Sequence, residues 1–320
     1  MDILFGKVRI KVDEDYDGTS ATITTEKGFS QTVALHTPSV DVILAGLEEY
    51  TIEYQNGYKD TFTLGYGNMV ISTAGGILLP FSTCTDEQLA RMVELFYEDV
   101  FTLDDIKSVW SVGDRRTVHL SDMPAESGCA AHSAQDIEIQ ILDFEYHELV
   151  SPINGHTKAL LTCDQVDALK DADYQETSTF NNWPTGATAR QQWLDKSYYT
   201  AFPDGIRALI KRANRKVNHL NSSFFAANPP FTGYAFLLSL NEATGASGWG
   251  TVPGLKYYEA TAHRLKGAGY KRTAHTSYPW WLVNRQMDSG NIYAYRIETD
   301  GSYARPRWND TLGLAPAICM

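Results

Sequence analysis

The stretch Tyr278–Met320, Y-P-W-W-L-V-N-R-Q-M-D-S-G-N-I-Y-A-Y-R-I-E-T-D-G-S-Y-A-R-P-R-W-N-D-T-L-G-L-A-P-A-I-C-M, decides how the C-terminal part of this chain reads. Two short apolar strands are legible in it, Trp280–Val283 and Ile292–Ile297. A Thr299-Asp300-Gly301 turn follows, and a strand Leu312–Cys319 closes the chain. Between the strands lie Asn284, Arg285, Gln286, Asp288, Asn291, Tyr303, Arg305, Arg307, Trp308 and Asn309, a loop population of amides, guanidiniums and large aromatics. Such side chains stack and hydrogen-bond while ordering few torsions, which favours them at recognition surfaces. Alternation puts Ile292, Ala294 and Arg296 on one face of their strand and Tyr293, Tyr295 and Ile297 on the other, so at least one tyrosine should lie open or against a partner.

Working outward, 320 residues are enough for two or three domains. A hydrophobic content of 43% supports a real core, and 21% charged residues suit a soluble globular protein. A net charge of −12 excludes nucleic acid as the main partner, because phosphate binding needs a basic footprint. Lysine and arginine cluster only at Lys211–Lys216, which reads as a solvated helix end. Met1-Asp2-Ile3-Leu4-Phe5 lacks the basic start and apolar run of a signal peptide, and the longest apolar run, residues 77–81, is too short to span a bilayer. Synthesis in a cytoplasm without membrane insertion is expected.

The four cysteines, Cys84, Cys129, Cys163 and Cys319, have wide unpatterned spacings, and the eight histidines form no H-x-H or H-E-x-x-H. Buried thiols, no disulfide framework and no preformed metal or cofactor site are expected.

In the N-terminal region, Val8, Ile10 and Val12 alternate with Lys7, Arg9 and Lys11, the period of a half-buried strand. Ala21–Thr25, Val40–Leu44, Tyr50–Tyr54, Thr61–Leu64 and Asn68–Ser72 read as further strands, with Asn56-Gly57 a hairpin signal. About seven strands before residue 74 describe a small β-sandwich, residues 1–74. The A-G-L-E-E-Y-T-I-E-Y run and the strand order before it resemble the immunoglobulin-like and carboxypeptidase-regulatory-like modules of surface proteins.

Thr73-Ala74-Gly75-Gly76 marks a boundary, followed by a helical linker, residues 75–107. Thr85 with Gln88 forms a capping box for a helix bearing Leu89, Met92, Val93 and Phe96, and a second helix runs Leu103–Trp110. Residues 108–320 make the second domain. Thr117–Leu120 and Ile137–Phe144 read as strands, Thr162 and Gln165 as the box of a helix reaching Leu169, and Ala235–Leu240 as a buried strand. Arg190, Trp193 and Leu194 share a helical face, Pro203 opens a helix over 204–211, and Leu255–Leu265 reads as another helix.

The series I-E-I-Q-I-L-D-F-E-Y-H, N-N-W-P-T-G-A-T-A-R-Q-Q-W-L, F-P-D-G-I-R-A-L-I-K, A-F-L-L-S-L-N-E-A, P-W-W-L-V-N, T-D-G-S and G-L-A-P-A-I-C, in that order, resembles an uncharacterised domain family common in phage and gut-bacterial proteins. That family is similar to the C-type-lectin-like fold of formylglycine-generating-enzyme relatives and of phage receptor-binding proteins diversified by retroelements. The resemblance implies an α+β protein, an N-terminal all-β sandwich followed by a C-type-lectin-like domain. It makes the segment after Trp281 ligand-facing (Asn284, Gln286, Asp288, Asn291, Tyr293, Tyr303, Arg305, Arg307, Trp308 and Asn309) and leaves Arg190, Trp193 and Glu242 as scaffold, with Trp281 largely core.

Trp308-Asn309-Asp310 repeats the W-N-D of calcium-dependent lectins, but calcium needs six to eight oxygens and the E-P-N or Q-P-D tripeptide that would add them is absent. Cys163 and Cys319 match no oxidase motif. His147 could be a general base oriented by Glu145 or Glu148, but no nucleophile motif accompanies it, and a structural histidine is the simpler reading. The expected function is a non-enzymatic phage virion surface protein, homo-oligomeric, recognising a host cell-surface protein or glycan or other virion subunits through its C-terminal loops. The alternatives are a purely structural virion assembly protein and a formylglycine-generating-type oxidase or hydrolase on the same fold.

Overall fold

The computed structural model describes residues 5–46, 48–64, 68–126, 129–173, 193–215, 231–244, 255–256, 264–265, 269–270, 279–288, 291–298, 303–304 and 311–320. The chain is mixed α+β and dominated by strands, in two compact units, Met1–Ser111 and Val112–Met320. Among the described residues no helix is long and apolar enough to cross a membrane.

The first unit contains β1 (Phe5–Lys11), β2 (Ser20–Thr24), β3 (Ser30–Ala34), β4 (Ser39–Ala45), β5 (Glu49–Tyr54), β6 (Lys59–Thr63), β7 (Asn68–Ser72) and β8 (Ile77–Leu78). They form two four-stranded sheets, ordered β4-β1-β7-β8 and β3-β2-β5-β6. The β1–β7 pair is parallel, with Lys7 opposite Asn68. Alternation turns Val8, Ile10, Val42, Leu44, Met69 and Ile71 of one sheet and Ala21, Ile23, Tyr50, Ile52, Tyr54 and Phe62 of the other into a single apolar cluster. Strand β3 was not legible, because only Val33 of its five residues is buried. The Asn56-Gly57 hairpin turns through three residues, since the Tyr54 N–H already bonds the Tyr58 carbonyl at 2.8 Å, with Gly57 at φ +83°.

Residues 75–107, expected as a linker, pack into this first unit. Helix α1 (Asp86–Tyr97) starts at the expected box: the Gln88 N–H donates to Thr85 Oγ1 at 3.2 Å and the Thr85 N–H to Gln88 Oε1 at 2.8 Å. Its buried stripe of Leu89, Met92, Val93 and Phe96 needs a cover that an isolated linker would lack. Helix α2 (Leu103–Val109) has its own box, Thr102 with Asp105, and Lys11 of β1 donates to Asp105 Oδ2 at 2.9 Å. Trp110, fully buried, donates from Nε1 to the Leu79 carbonyl at 2.7 Å and meets Phe81 edge-on.

The second unit contains β9 (Arg115–Leu120), β10 (Gln135–Phe144), β11 (Glu148–Ile153), β12 (His156–Lys158), β13 (Leu161–Gln165), β14 (Leu169–Asp173), β15 (Ala213–Arg215), β16 (Phe231–Gly233), β17 (Ala235–Phe236), β18 (Arg264–Leu265), β19 (Gly269–Tyr270), β20 (Trp280–Asp288), β21 (Asn291–Ile297), β22 (Tyr303–Ala304), β23 (Thr311–Leu314) and β24 (Ala317–Cys319). The sheets are ordered β17-β24-β13-β10-β9, β12-β11-β15-β16 and β14-β23-β20-β21-β22, with a β18-β19 pair besides. Short helices occur at Asp204–Leu209 and Leu240–Thr244, and Trp193 leads into a π-helical turn, Leu194–Tyr198.

Four expectations are corrected here. Thr162 and Gln165 do not box a helix: both lie in β13, whose five residues are all buried between β10 and β24. A four-residue capping pattern is weak local information, and burial between two strands overrides it. The buried run from Ala235 is strand only to Phe236 and becomes helix at Leu240. Leu265, expected in a helix, is in β18, and residues 257–263 before it lie outside the described residues. The closing strand is two strands in two different sheets, β23 and β24, separated at Ala315-Pro316, because a proline has no N–H for a ladder.

Two glycines are needed for space. A Cβ on Gly313 would come within 2.7 Å of Ala168 Cβ where β23 runs between β14 and β20. Gly76, at φ +109°, would put a Cβ 2.4 Å from Leu95 Cδ1. Gly76→Ala should therefore lower the unfolding free energy by more than about 1 kcal/mol, combining backbone strain with a core clash. Gly28→Ala, at φ +93° with open space around it, should cost less. Urea denaturation of both variants measures the difference.

Candidate functional site

The densest polar chemistry in the second unit is buried, and it converges on Glu242. The sequence Ser239-Leu240-Asn241-Glu242 is a capping box for the short helix Leu240–Thr244: the Glu242 N–H donates to Ser239 Oγ at 3.3 Å and the Ser239 N–H to Glu242 Oε2 at 2.6 Å. The same carboxylate takes an Nη2–H bond from Arg215 on Oε2, and its Oε1 lies 2.8 Å from His147 Nε2. Arg215 comes from β15 and lies over the Phe236 ring at 4.0 Å, with Nη1 donating to the Leu237 carbonyl. His147 comes from the turn between β10 and β11, and its Nδ1 lies 2.8 Å from Thr162 Oγ1 of β13. Thr162 Oγ1 in turn lies 3.8 Å from Cys319 Sγ of β24. Arg215, Glu242, His147, Thr162 and Cys319 are all at most 5% exposed.

The charges fix the direction of this chain of bonds. Burial pushes the Glu242 carboxyl up, but the Arg215 charge, His147 and the Ser239 N–H together hold it well below the usual carboxylate range. Burial holds His147 below its ordinary value despite Glu242, so its ring is neutral at pH 7. A carboxylate can only accept, so the single imidazole N–H sits on Nε2 and donates to Glu242. Nδ1 then accepts from the Thr162 hydroxyl, whose oxygen is left to accept from the Cys319 thiol. Burial pushes that thiol up to about 12, the opposite of the lowering that activates a nucleophilic cysteine. Cys163 is likewise raised by burial, and none of the four buried cysteines forms a disulfide.

Among the described residues no three His, Cys, Asp or Glu side chains converge at metal-ligand spacing. The carboxylate that meets His147 is Glu242, not the sequence neighbours Glu145 and Glu148. Arg215, read as part of a solvated basic helix end, is instead a buried strand residue. The S-x-x-E pattern at Ser239 could have located Glu242. Nothing local could have located Arg215, because its partner is 27 residues away.

The residues expected in recognition loops are placed differently. Asn284, Gln286 and Asp288 extend β20, and Asn291 and Tyr293 belong to β21. The two strands form an antiparallel hairpin in which Gln286 faces Tyr293 and Asp288 faces Asn291. Their polar side chains hid the strand, but a backbone ladder needs only N–H and C=O groups. A register shift between Trp281 and Arg285 leaves Leu282 and Val283 both buried, which strict alternation would forbid, and the Val283 N–H donates to the Leu238 carbonyl at 2.9 Å. Trp280 is core. The Trp281 side chain and those of Asn284, Gln286, Asp288, Asn291 and Tyr293 lie outside the description, as do Arg190, the Thr299–Gly301 turn, Arg305, Arg307, Trp308 and Asn309 entirely. Tyr295 is buried and Tyr303, in edge strand β22, is 39% exposed, with the two ring centres 6.3 Å apart.

Removing one partner of the buried pair leaves the other charge uncompensated. Glu242→Gln should therefore cost about 3–5 kcal/mol of stability, and the double variant Glu242→Leu with Arg215→Met should cost less. Urea denaturation checks both. Because the folded His147 and Glu242 hold protons less readily than the unfolded chain, the unfolded state gains protons on acidification. Stability should be level near pH 7 to 8 and fall once the pH drops below about 6.5, where a free imidazole protonates. His147→Gln should remove that upper part of the fall, read as a pH series of denaturation midpoints.

A family model described as "Domain of unknown function (DUF6273)" matches residues 156–320, just over half of the chain. Neither curated proteins nor solved structures yield a match. The matched region contains Thr162, Arg215, Glu242 and Cys319 and the whole β20–β21 hairpin, and the chain belongs to the DUF6273 family.

Proposed function

We propose that this protein is a non-enzymatic component of a phage virion surface. In this reading a β-sandwich, the first unit, carries or spaces a C-type-lectin-like second unit, which meets a host cell-surface molecule or a neighbouring subunit through its C-terminal sheet. The observation that carries the reading is the division of the β20–β21 hairpin. Its base is fixed by buried Trp280, Leu282, Val283, Tyr295 and Ile297, while its far end pairs Gln286 with Tyr293 and Asp288 with Asn291. A rigid base with a polar, changeable end lets side chains vary for recognition without loosening the core. The exposed Tyr303 on the adjoining edge strand extends that surface with a large amphipathic ring.

The raised, buried Cys319 thiol favours this reading over an oxidase on the same fold, since thiol chemistry needs an accessible thiolate. The assembly alternative differs only in what covers the hairpin. In this reading Gln286→Ala, Tyr303→Ala and Trp308→Ala act on recognition and should leave the melting temperature within about 2 °C of the parent. They should weaken adsorption of particles to host cells by about tenfold or more if a central anchor is among them. Particles that fail to form would instead support the assembly reading. Variants that lose stability but adsorb normally would sink the recognition reading.

A further inference from the structure

The first unit has a half-open cleft of about 720 Å³, lined by residues of that unit alone. Its walls come from β6, from the 74–80 segment and from the first turns of α1. That volume lies in the range of small-molecule sites. The lining is divided chemically. Tyr58 is 44% exposed and offers an aromatic ring, beside Ile77, Leu79 and Pro80. Gly75 and Gly76 leave one wall without side chains.

The polar groups have hydrogen-bonding capacity left over. Arg91 spends only Nη1 on its surface pairs with Glu94 and Glu98. Gln88 spends its Oε1 on the Thr85 cap, leaving its amide N–H groups. Glu49 is an exposed carboxylate with no ion pair among the described residues. Asp60 accepts from the Tyr58 hydroxyl at 3.1 Å on Oδ1, an oxygen that keeps a second lone pair, while its Oδ2 is sealed from solvent. Burial raises the Asp60 carboxyl above its ordinary value, marking a polar group short of compensation.

We propose that this cleft binds a neutral sugar unit, with Tyr58 against the sugar ring, Glu49 and Asp60 Oδ1 accepting from its hydroxyls, and Arg91 and Gln88 donating to them. The occupant must both donate and accept and must offer a C–H face to an aromatic ring, which a pyranose does. Two carboxylates repel phosphate or carboxylate ligands, and Arg91 on the α1 wall disfavours a cationic one. The inference stands on the first unit alone and does not depend on the hairpin reading.

The test is saturation-transfer NMR on the full chain, with a panel of neutral methyl hexosides, methyl N-acetylhexosaminides and their disaccharides at millimolar concentration. At least one sugar should give a transfer signal. Asp60→Asn and Tyr58→Ala should weaken its binding by about tenfold, the effect of losing one charge-assisted bond or the stacking face. Arg91→Ala, whose side chain makes only exposed surface pairs, covers the case in which either of those variants fails to fold, and it should weaken binding in a chain of unchanged melting temperature. A panel with no signal overturns the proposal, as does a signal that survives unchanged in the folded variants or that a negatively charged sugar phosphate gives more strongly. Tyr303→Ala should leave the signal intact, so failure here and failure of the hairpin reading are separable.

Discussion

The second unit depends on one buried carboxylate. Glu242 caps the start of a five-residue helix that could not stand alone, and it does so while neutralising Arg215 and orienting His147. Taking a carboxylate and a guanidinium out of water is costly, and the cost is recovered only if the remaining donors and acceptors are met. Here the Ser239 N–H, the Leu237 carbonyl, the Phe236 ring and the His147 N–H meet them. Through Thr162 and Cys319 the same chain of bonds reaches β13 and β24, the middle strands of the five-stranded sheet. An apolar cluster could fill that volume but would tolerate slippage. Directional bonds to a single carboxylate fix one register for segments that lie far apart in sequence.

That constraint reaches the C-terminal sheet through three consecutive residues. The Leu237 carbonyl accepts from Arg215, the Leu238 carbonyl accepts from Val283 in the irregular part of β20, and the Ser239 N–H donates to Glu242. The base of the β20–β21 hairpin is thus tied by a backbone bond to the segment that the charge network holds. Trp280 and the adjacent buried pair Leu282 and Val283 then pack it in place.

Much of the first unit was legible, because its strands carry the strict alternation that one buried face imposes. Val8 and Ile10, Tyr50 and Tyr54, and the Thr85–Gln88 box all express local rules. The second unit was legible only where local rules acted alone, as in β10 or the helix opened by Pro203. Thr162 misled because its box pattern is short and its strand lies wholly inside a sheet. The far half of the hairpin misled for the opposite reason, since its backbone pairs but its side chains are polar. The Arg215–Glu242–His147 site could not be read as a unit, because no periodicity links residues brought together only by the sheets.

The positions of these two failures carry an argument about design. The polar residues read as loop sit at the end of a hairpin, and Arg215, read as solvated surface, sits buried beside Glu242, read as scaffold. In the first case polarity is compatible with a strand, because the ladder is made by backbone N–H and C=O groups. In the second, Glu242 and His147 are held by specific partners, so removing either leaves a buried group unmet. A chain built this way concentrates its uniqueness in a few fixed charges. Glu242 and its partners thereby hold β13, β15 and β24 in register.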